Sequence, residues 1–202
     1  MINGSSSALG QALSASSGYI TIAAWISPEA VRVTNGGDYK AIFGWGEDTE
    51  KGFVFDLKNN DLNVTTKNVQ ENTFSGSDVT SGSTVTWTMV ALTINIAEWD
   101  ARAYQGTTGD YWTDTDIGNN SKLWNSPTNA DLFAIGSKNS TSNEKAFLGK
   151  IGGVVILSSD GYLTTEQIVT ALGAAPKSIP EPTTATLSLL ALAGLAARRR
   201  RK

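Results

Sequence analysis

Apolar residues recur along this chain in short runs, at strand spacing through most of its length and at helix spacing only near residue 165. Tyr19 to Ile26 is rich in β-branched and aromatic residues, with Pro28 as a stop. Lys40 to Trp45 and Gly52 to Lys58 are further short apolar runs, and Asn59-Asn60 predicts a hairpin turn into Asp61 to Lys67. Thr84 to Ile96 is the longest run. Trp87, Met89 and Ala91 fall on one side of it and Val90, Leu92 and Ile94 on the other, which predicts a central strand covered on both faces. Trp99 to Gln105 is expected to pair back onto it, and Leu132 to Gly136 and Lys150 to Leu157 complete the set. Spacing and turn chemistry favour an all-β, antiparallel two-sheet sandwich.

One helix stands out. Thr164-Thr165-Glu166-Gln167 has the form of a capping box, with Leu163 and Ile168 placed as a hydrophobic staple. Ile168 and Leu172 share a face, and Gly173 is placed to end the helix. The sandwich is expected over residues 1–175, followed by a linker, 176–182.

The end of the chain has a different pattern. Residues 183–197 carry no charge and include five leucines; Arg198, Arg199, Arg200, Arg201 and Lys202 follow. As a helix the run is about 22 Å long, short of the ~20 residues that comfortably span a bilayer. Snorkelling arginines and local thinning close the gap. The basic cluster, 198–202, is expected to stay cytoplasmic, with 183–197 in the inner membrane and the domain on the other side. Pro180-Glu181-Pro182 immediately precedes the apolar run. This three-part ending resembles the PEP-CTERM sorting signal of bacterial exosortase systems. The resemblance implies an exosortase-type membrane protease as partner, cleavage near the Pro-Glu-Pro motif, and delivery to the outer envelope or the medium. Residues 1–18 hold no basic n-region and no apolar h-region. The expectation is therefore a truncated gene product or a start codon assigned too late.

Composition narrows the chemistry. The 202 residues include no His and no Cys, which excludes Ser-His-Asp catalysis, His-ligated metals, thiol nucleophiles and disulfides. Five of the 16 basic residues are the last five, so the remainder carries 11 basic against 19 acidic residues. So acidic a domain is a poor partner for nucleic acid.

The order of the strand motifs resembles laminin-G-like, concanavalin A-like domains. Residues 19–26 look like an early strand, Trp87 to Thr93 like the central one, Asp131 to Gly136 like the later strand ending in Ile-Gly, and Phe147 to Ile156 like the last long one. The resemblance implies a concanavalin A-like jelly roll with one short closing helix. There are two departures. Gly152 and Gly153 stand where many relatives carry an acidic residue, and the chain begins just after a first strand that such domains possess, which would leave an open sheet edge or an uncovered core.

Glucanases on this fold carry Glu-x-Asp-x-x-Glu on one strand. The nearest cluster here, Glu47-Asp48-Thr49-Glu50, lacks that spacing, so no enzyme is expected and glycoside hydrolysis ranks last among the readings. Trp25, Trp45 and Trp87 lie in apolar strand patterns and read as core. Trp99, Tyr104, Tyr111, Trp112 and Trp124 lie in polar or loop-like surroundings, the last three within a long segment from Gly106 to Asn129. These five are the candidate sugar-stacking residues of a carbohydrate-binding or adhesion module; the alternative is that they cover the core. Asp114 to Asn120 offers oxygen ligands at alternate positions, a weak calcium motif that also reads as a turn. No cofactor is expected. A structural envelope or matrix protein without a small ligand is the other function class.

Overall fold

The structure, a computed structural model, describes residues 18–29, 39–45, 53–66, 70–82, 84–98, 100–114, 117, 133–137 and 146–177. They form ten strands: β1 (Tyr19–Pro28), β2 (Tyr39–Trp45), β3 (Phe53–Lys58), β4 (Asp61–Thr66), β5 (Gln70–Thr73), β6 (Thr88–Asn95), β7 (Asp100–Gln105), β8 (Tyr111–Asp114), β9 (Phe133–Ile135) and β10 (Gly149–Ser159). Two five-stranded sheets, β10-β1-β6-β7-β8 and β5-β4-β3-β2-β9, are antiparallel at every pairing.

Strand alternation supplies the core. Ile20, Ile22, Ala24 and Ile26 of β1, Val90, Leu92 and Ile94 of β6, and Ala101 and Ala103 of β7 face Phe43, Trp45, Phe53, Phe55, Leu57, Leu62 and Val64 of the second sheet. The central strand β6 is covered on both sides, as its sequence predicts. Its other face, with Met89 and Ala91, packs with Ala23, Trp25 and Tyr104 under Ile168 of the helix, and Trp87 lies against this second cluster. Asn59 and Asn60 both take positive φ, 52° and 75°, the geometry of a type I′ hairpin joining β3 to β4. β1 is flanked on both sides, by β10 and β6.

Two strands escape the sequence reading. β5 is Gln-Glu-Asn-Thr, with no apolar residue to reveal an alternation. β8 interrupts the segment read as a long loop: Tyr111–Asp114 pairs with Ala101–Tyr104, and residues 106–110 are a tight connection between the two strands. The β5–β6 connection also contributes core residues, Phe74 and Val79. It is held by bonds from the Phe74 and Val79 amides to the Leu62 and Asn60 carbonyls, each 2.9 Å.

The departures at Gly152 and Gly153 have a physical basis. The pairing of β1 with β10 slips between Ala24 and Trp25, leaving Gly153 as the extra residue of a bulge at φ 62°, a conformation that favours glycine. A Cβ on Gly152 would collide with the Pro176 ring and stand 3.1 Å from the Trp87 indole. An acidic side chain has no room there.

The helix spans Thr165–Leu172 and is capped as its sequence predicts. Thr164 Oγ1 accepts from the Gln167 amide at 3.2 Å, and Gln167 Oε1 accepts from the Thr164 amide at 2.8 Å. Gly173 closes it at φ 81°. Two bonds pin it across the outer face of the first sheet: Tyr104 Oη donates to the Leu163 carbonyl and Trp25 Nε1 to the Gly173 carbonyl, both at 3.0 Å. No described helix is long and apolar enough to cross a membrane; residues 178–202 lie outside the described residues.

Candidate functional site

The site grows from the alternation of β7. Ala101 and Ala103 point into the core, so Asp100, Arg102 and Tyr104 point outward. Opposite them on β8, Tyr111 pairs with Tyr104 and Thr113 with Arg102, on the same outward face. The chain leaving β10 then lays Tyr162, Leu163 and the first turn of the helix beside this row. Between the β7–β8 ribbon and that turn lies an open cavity of about 420 Å³. Arg102, Tyr111 and Tyr162 line one part of it, Thr107, Thr108 and Gly109 another, and Thr164, Thr165 and Glu166 the rim of the helix.

Arg102 lines it between two rings. Its guanidinium carbon lies over the Tyr162 ring, 4.0 Å from the centroid, and over the Tyr111 ring, 4.3 Å from the centroid. Its Nε is buried without a hydrogen-bond partner. Tyr162 in turn packs edge-on against Tyr19, centroids 4.8 Å apart. The β7–β8 connection is braced by Thr108 Oγ1 donating to Asp110 at 3.0 Å and by the Gly106 amide donating to the Met89 carbonyl at 2.8 Å.

Tyr162 and Tyr104 stay neutral here. Burial, reinforced by the Asp100 carboxylate, pushes the Tyr162 hydroxyl up to about 12, with the Arg102 charge opposing. Burial also raises Tyr104, against the pull of Thr93 and Arg102. Both phenols are therefore protonated at neutral pH, available as hydrogen-bonding groups and poor nucleophiles.

The five stacking candidates part company. Tyr111 is 52% exposed and lines the cavity. Tyr104 also lines it but is only 1% exposed; its ring belongs to the packing beneath the helix. Trp112 points from β8 to the opposite face, pairs with Ala103 and packs partly buried against the main core, so it does not share a surface with Tyr111. Trp99 and Trp124 lie outside the described residues, as do Glu47, Asp48 and Glu50 and the sorting residues 180–182 and 198–201. Of the calcium motif, Asp114 is the end of β8 and Ile117 is buried in the core. No group of three or more metal-ligating side chains forms among the described residues. Arg102 and Tyr162 were missed by the sequence reading, although the Asp-Ala-Arg-Ala-Tyr alternation of β7 already places Arg102 opposite the core.

Residues 178–202 carry a PEP-CTERM protein-sorting motif. The motif marks the protein as exported and sorted to the cell envelope or surface. Among curated proteins none matches the chain in sequence. Solved structures do match the chain in fold. The CBM40 of the Ruminococcus gnavus IT-sialidase, bound to alpha2,3 sialyllactose, is 13% identical with a TM-score of 0.50, covering 82% of this chain and 87% of its own. Domain 4 of AbnA, a GH43 extracellular arabinanase from Geobacillus stearothermophilus, in complex with arabinotriose, is 17% identical at a TM-score of 0.54, covering 79% and 68%. The heptameric SAP-like pentraxin of Limulus polyphemus is 15% identical at a TM-score of 0.55, covering 78% and 70%. At these identities the likeness is one of architecture, a lectin-like jelly-roll sandwich consistent with the concanavalin A-like class.

Proposed function

We propose that this PEP-CTERM protein is a non-catalytic carbohydrate-binding or adhesion module displayed at the cell envelope, and that its glycan sits in the cavity between the β7–β8 ribbon and the helix. The observation that carries the reading is the cavity itself. Its size suits a mono- or disaccharide, and it joins an exposed ring, Tyr111, to a set of hydroxyls on Thr107, Thr108, Thr164 and Tyr162. Sugars offer an apolar face to a ring and hydroxyls to polar groups, and these residues supply both. Two proteins of similar architecture hold oligosaccharides, arabinotriose in one and sialyllactose in the other, which supports the reading.

The same inventory argues against hydrolysis. Glu166 is the one carboxyl group among the described lining residues, whereas glycosidic cleavage needs a pair flanking the bond. A tyrosinate nucleophile is disfavoured by the raised Tyr162 and Tyr104 hydroxyls. An exosortase-type protease is the partner that the motif calls for, with removal of residues 183–202 before release from the inner membrane.

A glycan array of the purified chain and its Tyr111→Ala variant tests the proposal. Binding by the native protein that the variant loses while its melting curve is unchanged is the expected result. Binding to no glycan, with folding intact, would overturn it in favour of a structural envelope protein.

A further inference from the structure

Resting on that reading, we propose that the cavity selects saccharides bearing a carboxylate, with Arg102 as the residue that recognises it. Three observations converge. First, the Arg102 guanidinium lies over two tyrosine rings. Ring faces attract positive charge and hold the group in place, but they are weak acceptors for N–H donors. The guanidinium is thus positioned mainly by the rings, with the Tyr104 hydroxyl drawing on its donors and Nε left over. Second, its Nε is buried and has no partner. A buried charged donor left unpaired is costly, so the guanidinium gains when a movement of its side chain brings Nε to an acceptor in the cavity. A carboxylate matches the planar fork of a guanidinium with two parallel bonds, which a neutral hydroxyl cannot do. Third, Thr164, Thr165 and Glu166 on the opposite rim are the N-terminal turn of the helix, where the positive end of its dipole lies.

Opposing charge is also present. Glu166 lines the cavity and Asp100 neighbours Tyr162, so the fit to an anion depends on how far Arg102 outweighs them. This balance makes Glu166 informative. It is exposed, and removing its charge should strengthen carboxylate binding without touching the Arg102 contacts.

Carboxylated sugars come from two sources, uronic acids and nonulosonic acids, and the experiment separates them. Titration calorimetry of the purified full chain is run against trigalacturonate and its neutral counterpart trigalactose, and against sialyllactose and lactose. At least one acidic member should bind about tenfold tighter than its neutral partner, with the preference shrinking as salt rises. Arg102→Gln should bring the acidic and neutral affinities together. Glu166→Gln should widen the gap, and its exposed position keeps the test valid if Arg102→Gln does not fold. Equal affinity for acidic and neutral members, unmoved by both variants, overturns the proposal while the carbohydrate-binding reading stands. Failure of all four sugars, together with an empty glycan array, defeats the reading as well. A preference for one acidic source supports the proposal and names the source.

Discussion

Tyr111 and Trp112 are neighbours in sequence and large aromatics both, yet they do opposite work. The pleat of β8 sends Trp112 toward Ala103 and the main core, and Tyr111 toward Arg102 and the cavity. The same division runs through β7, where two alanines thin the inner face to fit the opposing sheet and Arg102 and Tyr104 furnish the outer one. One face of the ribbon stabilises the sandwich and the other lines the cavity proposed to hold glycan. Aromaticity in a polar stretch therefore says little about binding until the face is known.

Four substitutions break or sharpen this contrast. Trp112→Ala has the largest expected effect on the fold, a loss of about 2 kcal/mol or more, below the full range for a wholly buried ring because the indole is only partly buried. Denaturant unfolding measures it, and the refolded fraction should bind glycan normally. Thr164→Ala removes the cap on the helix that walls the cavity and should cost about 1 kcal/mol. Tyr104→Phe, which deletes the bond to the Leu163 carbonyl, should cost a similar ~1 kcal/mol and weaken binding by loosening the helix against the sheet. Tyr111→Ala should move stability by no more than about 0.5 kcal/mol and yet abolish most glycan affinity. If Tyr111→Ala unfolds the protein, or Trp112→Ala abolishes binding while stability holds, the assignment of faces is reversed.

A pH titration supplies a smaller effect. Tyr162 and Tyr104 ionise in the folded protein above the ordinary value of 10. As pH rises past 10 the unfolded chain loses these protons first, so unfolding is favoured. Stability from these two groups is fully present below about pH 10 and is lost as pH approaches about 12. Tyrosinate absorbance should show two late-titrating residues, reduced to one in Tyr162→Phe.

Much of the fold was legible because its signals are local. Two consecutive asparagines dictate the I′ hairpin, four residues dictate the capped helix, and the two-sided apolar pattern of β6 announces a strand buried on both faces. β5 and β8 were hidden for the opposite reason. Both are four-residue edge strands whose pairing is fixed by the neighbouring strand rather than by their own composition. The site was half legible. Tyr104 and Tyr111 were flagged as aromatics in polar surroundings, but the cavity also needs Arg102 and Tyr162, sixty residues apart and brought together by the sheet and the chain that leads into the helix. Nothing local in either segment announces that meeting. The sorting motif was the most readable feature of all, since Pro-Glu-Pro, an apolar run and a basic end act as a linear signal.

The central claim is that glycan binds on the outer face of the β7–β8 ribbon. Amide and side-chain chemical-shift mapping of the full chain, titrated with the best saccharide from the array, tests it most directly. The account predicts shifts concentrated at Arg102, Thr108, Tyr111, Tyr162 and the first turn of the helix. Shifts confined to the other sheet, at Asp56, Asn63 and Thr73, with Tyr111 and Arg102 unmoved, would contradict it.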